Sequence, residues 1–159
     1  MSKDKNQNVI LRGWQSDVVN MIQEHESIRG EERYQGVTDW SINKDLAIQV
    51  AMPKGSGHTF LANYIASNIP SIIVYKDMAN YREFSEMPFH NDSETASMYE
   101  IYFAIHNHNT QGPAQDLLEM NKKMATQKVI VVDNALRLPI SVKDYIFSIA
   151  QGPIVLLGH

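Results

Sequence analysis

The chain has 159 residues and a mass of 18.1 kDa, and its 14 Lys and Arg against 18 Asp and Glu give a formal net charge of −4. A content of 43% apolar and 20% charged residues excludes intrinsically disordered and fibrous proteins. The absence of cysteine excludes disulfides, thiolate metal sites and a cysteine nucleophile. No apolar run is long enough to cross a bilayer, and the polar start lacks a signal core, so we expect a soluble, cytoplasmic protein with no membrane partner.

We expect residues 1–159 to form one domain with a flexible N-terminus at residues 1–10. Hydrophobic periodicity, caps and breakers predict the elements in this order: helix 14–29, strand 46–51, helix 58–67, strand 71–75, helix 77–86, strand 100–105, helix 113–125, strand 129–132, a helix opened by Ser141 and stopped by Gly152, and strand 154–157. The Glu- and Arg-rich stretch before the first strand has no predicted element. Continuous Val and Ile strands between helices predict an α/β fold, a three-layer α/β/α sandwich with a mainly parallel sheet.

A glycine-rich loop lies between the first strand and the next helix, at residues 52–59 (MPKGSGHT). Gly55 and Gly57 would let backbone N–H groups approach a polyphosphate, and the following helix would direct its N-terminal dipole at the same anion. Thr59 falls where the motif GxxxxGK[ST] has its magnesium-binding hydroxyl. Met52 replaces the first glycine of that motif, and His58 replaces the lysine that reaches the β- and γ-phosphates.

The alternative for this loop is a strand-to-helix turn with no ligand. Four aliphatic residues at 129–132 followed by Asp133 favour the phosphate-binding interpretation, because they supply a second strand ending in a magnesium-directed carboxylate. Lys54 could swing toward the phosphates, although we favour a solvated loop residue. The nucleotide-binding candidates are therefore Lys54, Gly55, Ser56, Gly57, His58, Thr59 and Asp133, and the candidate metal ligands are Thr59 and Asp133.

The loop resembles that of the phosphate-loop (Walker) NTPases, and in particular the N-terminal RecA-like lobe of helicases and viral DNA-packaging terminases, at Pro53, Gly55, Ser56, Gly57 and Thr59. Residues 11–15 (LRGWQ) are similar to the R-x-(W/Y)-Q element that opens many of those lobes. The resemblance implies that Gln15 reads the adenine edge. It also implies a nucleic-acid contact at residues 74–79 and a coupling or sensor position at His159.

Two departures from the family pattern affect hydrolysis. His58 cannot supply the fixed positive charge of the lysine, and Asn134 stands where helicases and terminases have the glutamate that polarises water. The resemblance thus implies a degenerate protein that binds ATP or ADP with Mg²⁺, hydrolyses it weakly or not at all, and acts as a subunit or regulator of a replication or packaging machine. A single lobe also implies a protein partner or a homo-oligomer. Nucleic acid is a further candidate partner that the net charge does not favour. The alternative function is an interaction protein that binds another protein and no nucleotide.

Other clusters allow two interpretations each. His106 and His108 would face one side of an extended segment and could share a metal ion, although we favour a polar strand end. Tyr99, Tyr102 and Phe103 are expected to pack in the core and at its rim, with base stacking as the alternative.

Overall fold

The computed structural model describes residues 11–29, 31, 39–51, 57–77, 82, 94–107, 115–125 and 129–158. Its helices are α1 (Gly13–Arg29), α2 (Asp39–Leu46), α3 (His58–Asn68), α4 (Met98–Asn107), α5 (Gln115–Ala125) and α6 (Ile140–Ile149). Its strands are β1 (Ile48–Ala51), β2 (Ser71–Tyr75), β3 (Glu94–Ser97), β4 (Val129–Asp133) and β5 (Ile154–Gly158), and a short 3-10 helix covers Ala135–Arg137.

The strands form one sheet in the order β1-β5-β4-β2-β3, in which every neighbouring pair is parallel. Because parallel strands are joined by crossovers, the connecting helices cover the sheet. The predicted fold class is confirmed: the protein is α/β, with a five-stranded parallel sheet flanked by helices as in a three-layer α/β/α sandwich.

Successive side chains of β2, β4 and β5 enter two separate cores, one on each face of the sheet. On one face Ile73 and Val131 pack with residues of α1 and α3, such as Ile22. On the other face Ile72 and Val132 pack with residues of α4, α5 and α6. A strand alternates its side chains between faces, so burial of both faces explains why β2 and β4 are continuous runs of Val and Ile.

The predicted strand at residues 100–105 is wrong. These residues lie in α4, and β3 precedes them at Glu94–Ser97. Met98, Ile101 and Ala104 are buried at a spacing of three residues, which is the periodicity of a helix with one face on the core. The contiguous apolar run IYFAI imitates a buried strand because the exposed face of the helix is aromatic as well.

Two helices also depart from the sequence predictions: α2 was not predicted, and α6 begins and ends at other residues than expected. Helix α2 forms in the polar stretch with no predicted element, and Leu46 ends it instead of opening β1. Helix α6 has Pro139 at its N-cap position and ends at Ile149, so Ser141 lies inside the helix and does not cap it. Proline favours helix starts because its φ is already helical and the N–H that it lacks would have no helical partner.

The predicted helix at 77–86 falls almost entirely outside the described residues, as does the predicted flexible N-terminus at residues 1–10. The remaining predicted strands and helices form within one or two residues of their expected positions.

Candidate functional site

The centre of the candidate site is a hydrogen bond between the start of α3 and the end of β4. Thr59, the second residue of α3, donates its hydroxyl to Oδ2 of Asp133 at 2.8 Å. Asp133 is the last residue of β4 and only 2% exposed, and its Oδ1 accepts the backbone N–H of Asn134 at 3.1 Å. The fold therefore brings together the two side chains predicted to hold a magnesium ion.

The sheet topology explains why these residues meet. In a parallel sheet the carboxyl ends of all strands share one edge, and the helix after each strand begins there. Strand β5 lies between β1 and β4, with Gly158 beside Ala51 and Leu157 beside Asp133. The end of β5 thus borders both strands of the site, although His159, the predicted sensor position, lies outside the described residues.

Gly57 precedes α3 in a conformation that favours glycine, with φ at +102°. A Cβ atom at this position would lie 2.8 Å from Nε2 of Gln15. The same Nε2 donates a hydrogen bond to the Gly57 carbonyl oxygen at 3.0 Å, and that oxygen also accepts the N–H of Leu61. Both the backbone conformation and the contact with Gln15 therefore disfavour a side chain at Gly57.

Gln15 ties α1 to this turn. Its Oε1 accepts the backbone N–H of Arg12 at 2.9 Å while its Nε2 binds Gly57, and the residue is only 3% exposed. Both ends of the amide are thus engaged within the chain. The predicted contact with an adenine edge stays a prediction, and it would use the second N–H or second lone pair of the same amide.

His58, at the position of the motif lysine, is buried. It is 4% exposed, and its ring packs edge-to-face on Trp14 with the centroids 5.6 Å apart. A ring in this position lies against the indole of α1 and does not project a cation from the turn, as a lysine of the motif would. The sequence places Trp14 in the predicted first helix and in the R-x-(W/Y)-Q element, and neither pattern indicates the contact with His58.

The other predicted loop residues, Lys54, Gly55 and Ser56, lie outside the described residues, as do Met52 and His108. His106 lies on α4 rather than on an extended segment, so the favoured interpretation as a polar strand end is wrong, and so is the extended arrangement considered for a shared metal ion. Its ring lies 4.0 Å from that of Tyr102, and its Nε2 is 3.5 Å from the Ser141 hydroxyl. Within the described part of the chain, no group of three or more His, Asp or Glu side chains could hold a metal ion.

The aromatic residues of α4 pack at the rim rather than in the core. Tyr99 is 65% exposed and Phe103 is 55% exposed, and their rings stack with centroids 6.2 Å apart. Tyr102 is less exposed and contacts Phe103 edge-to-face. Their prediction as core and rim residues is correct only for the rim.

The sequence matches no protein-family model and no curated protein. No helix among the described residues is both long and apolar enough to cross a membrane.

Proposed function

We propose that this protein binds a nucleoside di- or triphosphate, ATP or ADP, together with Mg²⁺ at the turn before α3. The observation that carries the proposal is the 2.8 Å hydrogen bond between Thr59 Oγ1 and Asp133 Oδ2. Residues far apart in sequence supply a hydroxyl and a carboxylate oxygen at one point. Both are hard oxygen ligands of the kind that Mg²⁺ takes, and Mg²⁺ fills its remaining positions with phosphate oxygens and water.

The surroundings of this pair fit a phosphate group. Helix α3 begins at this turn, directly after Gly57, so the positive end of its dipole lies where a phosphate group would bind. Bound Mg²⁺ would neutralise phosphate charge. Thr59 and Asp133 would hold it, directly or through water, and Gly55 and Ser56 would complete the phosphate cradle by resemblance to the Walker loop.

Hydrolysis by this site is expected to be weak or absent. The buried His58 does not supply a fixed charge to the phosphates, and the amide of Asn134 cannot accept a proton from water. Phosphoryl transfer depends mainly on positioning and electrostatic stabilisation, so each loss removes a principal part of the machinery.

The wider role that we propose is that of a degenerate subunit or regulator in a nucleic-acid-processing machine, with replication or packaging as its setting. This part of the proposal rests on the resemblance to helicase and terminase lobes at the loop. A single lobe would need a protein partner or further copies of itself to act in such a machine.

A second candidate function is that of an interaction protein that no longer binds nucleotide. It is favoured by the packing of His58 against Trp14 and by the engagement of the Gln15 amide with the backbone. Under this hypothesis the Thr59–Asp133 bond is a structural link between α3 and β4.

Calorimetric titration of the nucleotide-stripped protein with ATP and ADP, with and without Mg²⁺, distinguishes the two functions. We expect saturable, Mg²⁺-dependent binding that Thr59→Ala weakens by about tenfold or more, equivalent to about 1.4 kcal/mol. Thr59→Ser keeps the hydroxyl and should retain most of the affinity, which makes it the matched control. If millimolar nucleotide gives neither heat nor a change in melting temperature with the native protein, the nucleotide proposal is wrong and the interaction protein is favoured.

A further inference from the structure

A groove of about 360 Å³ opens at the carboxyl edge of the sheet, beyond the ends of β3, β2 and β4. Its lining comes from the segments that follow these strands: Lys76, Met98, Tyr99, Tyr102, Arg137 and Pro139. None of these residues is a candidate for the nucleotide site. Crevices outside the carboxyl ends of parallel strands are where α/β proteins bind ligands.

The groove combines an apolar surface with two charged side chains, Lys76 and Arg137, both of them cations. Tyr99 and Tyr102 present exposed rings, and Arg137 is exposed on the 3-10 helix. Lys76 lies 3.5 Å from Asp77 in an exposed ion pair, which exchanges readily with another carboxylate. Tyrosine and arginine are the residues most enriched among those that dominate binding energy in protein interfaces.

We propose that this groove docks an acidic peptide segment of a partner protein, with an aromatic or aliphatic side chain against the tyrosines and a neighbouring carboxylate on Arg137. The proposal goes beyond nucleotide binding and does not depend on it. Its support is charge complementarity: both charged side chains in the described lining, Lys76 and Arg137, are cations, in a chain whose net charge is −4. The planar guanidinium of Arg137 suits a bidentate carboxylate.

The same residues favour a peptide over a nucleic-acid strand. Nucleic-acid affinity comes mostly from many phosphate contacts, and the described lining of the groove offers only Lys76 and Arg137 as cations. Stacking on bases also needs open ring faces. Each tyrosine ring already has an aromatic neighbour: the centroids of Tyr99 and Phe103 are 6.2 Å apart, and those of Tyr102 and His106 are 4.0 Å apart.

The test is selection of a displayed random peptide library on the immobilised full-length protein, followed by affinity measurement of the selected peptides. We expect the peptides to share Asp or Glu beside an aromatic or aliphatic residue. Arg137→Glu and Tyr99→Ala should each weaken their binding by about tenfold or more. The matched control is Lys122→Glu, the same change of charge at an exposed position of α5 outside the groove, which should leave the affinity unchanged.

Exchanging the charges of the peptide and of residue 137 tests the proposed contact between them directly. A selected peptide whose acidic residue is replaced by lysine should bind Arg137→Glu better than it binds the native protein. The proposal is overturned if no selected peptide depends on Arg137 and Tyr99, or if the selected peptides are neutral or basic. It is also overturned if single-stranded oligothymidylate competes for the groove more tightly than the selected peptides do, or if sedimentation shows self-association that Tyr99→Ala abolishes.

Discussion

The contact between Gln15 and Gly57 predicts that substitutions at these two positions will not be additive. Gly57→Ala introduces two separate costs. A non-glycine residue at φ +102° stores about 1–3 kcal/mol of backbone strain, and the new Cβ, 2.8 Å from Nε2, displaces the Gln15 amide and loses its hydrogen bond, worth about 1 kcal/mol. The total expected loss of unfolding free energy is about 2–4 kcal/mol.

In the Gln15→Ala background the collision is absent and the hydrogen bond is already lost. Gly57→Ala should then cost only the backbone strain, so the double-mutant cycle should give a coupling energy of about 1 kcal/mol. For a chain of this size, 1 kcal/mol corresponds to a change of about 2–4 °C in Tm.

Urea unfolding followed by far-UV circular dichroism measures all four corners of this cycle. Gly13→Ala is the control, because a Cβ at Gly13 meets nothing within 4 Å, and it should leave the stability unchanged or slightly raised. If the two substitutions add to within about 0.3–0.5 kcal/mol, Gln15 does not pack on Gly57 and the reasoning is refuted.

Two further predictions concern polar contacts that join the helices of one layer. Asn43 of α2 is buried, and its Nδ2 donates hydrogen bonds to the carbonyl oxygens of Phe147 and Ala150 at the end of α6. Asn43→Ala should therefore lower the unfolding free energy by about 1–3 kcal/mol in urea titrations. An unchanged midpoint of the urea transition would contradict this prediction. The Tyr145 hydroxyl donates to Oδ1 of Asn121 at 2.7 Å, and burial raises the pKa of Tyr145 above its ordinary value. Above about pH 10 the unfolded state releases the proton of the Tyr145 hydroxyl, whereas the folded state keeps it until a higher pH. The contribution of this group to the unfolding free energy is therefore fully present below about pH 10 and is lost as the pH rises further. Tyr145→Phe should reduce that alkaline fall relative to the native protein, and identical pH profiles of stability would refute the assignment.

Much of the sheet could be predicted from the sequence because its strands are short and completely buried. The runs at β2 and β4 are continuous Val and Ile bounded by polar or helix-forming segments, and they were predicted to within one residue. The pairing of Thr59 with Asp133 was also predictable, since a loop motif and a strand ending in Asp each fix one partner at the same edge of the sheet.

Other features depend on contacts that local patterns do not encode. In α4 both the buried and the exposed face are apolar, so periodicity could not distinguish this helix from a strand. The burial of His58 depends on Trp14, which reaches it from a different helix. Helix α2 has a polar sequence and packs on α6, where Asn43 makes its long-range hydrogen bonds, so the signal for this helix lies in tertiary structure.

The backbone after β4 bears on whether hydrolysis could be restored by a single substitution. Asn134 is the only non-glycine residue with positive φ in the described part of the chain, at φ 57° and ψ 44°, and asparagine tolerates this left-handed conformation better than most residues. Placing the catalytic glutamate there should cost about 1 kcal/mol of unfolding free energy, whereas Asn134→Gly should be close to neutral in the same urea titration. Asn134→Glu alone should also leave phosphate release unchanged, because His58 stays packed against Trp14 and the phosphates still lack a fixed cation. A fully stable Asn134→Glu protein with accelerated phosphate release would contradict both steps. The expected result would mean that, under the nucleotide proposal, hydrolysis would require the backbone after β4 and the contact between α1 and α3 to change together.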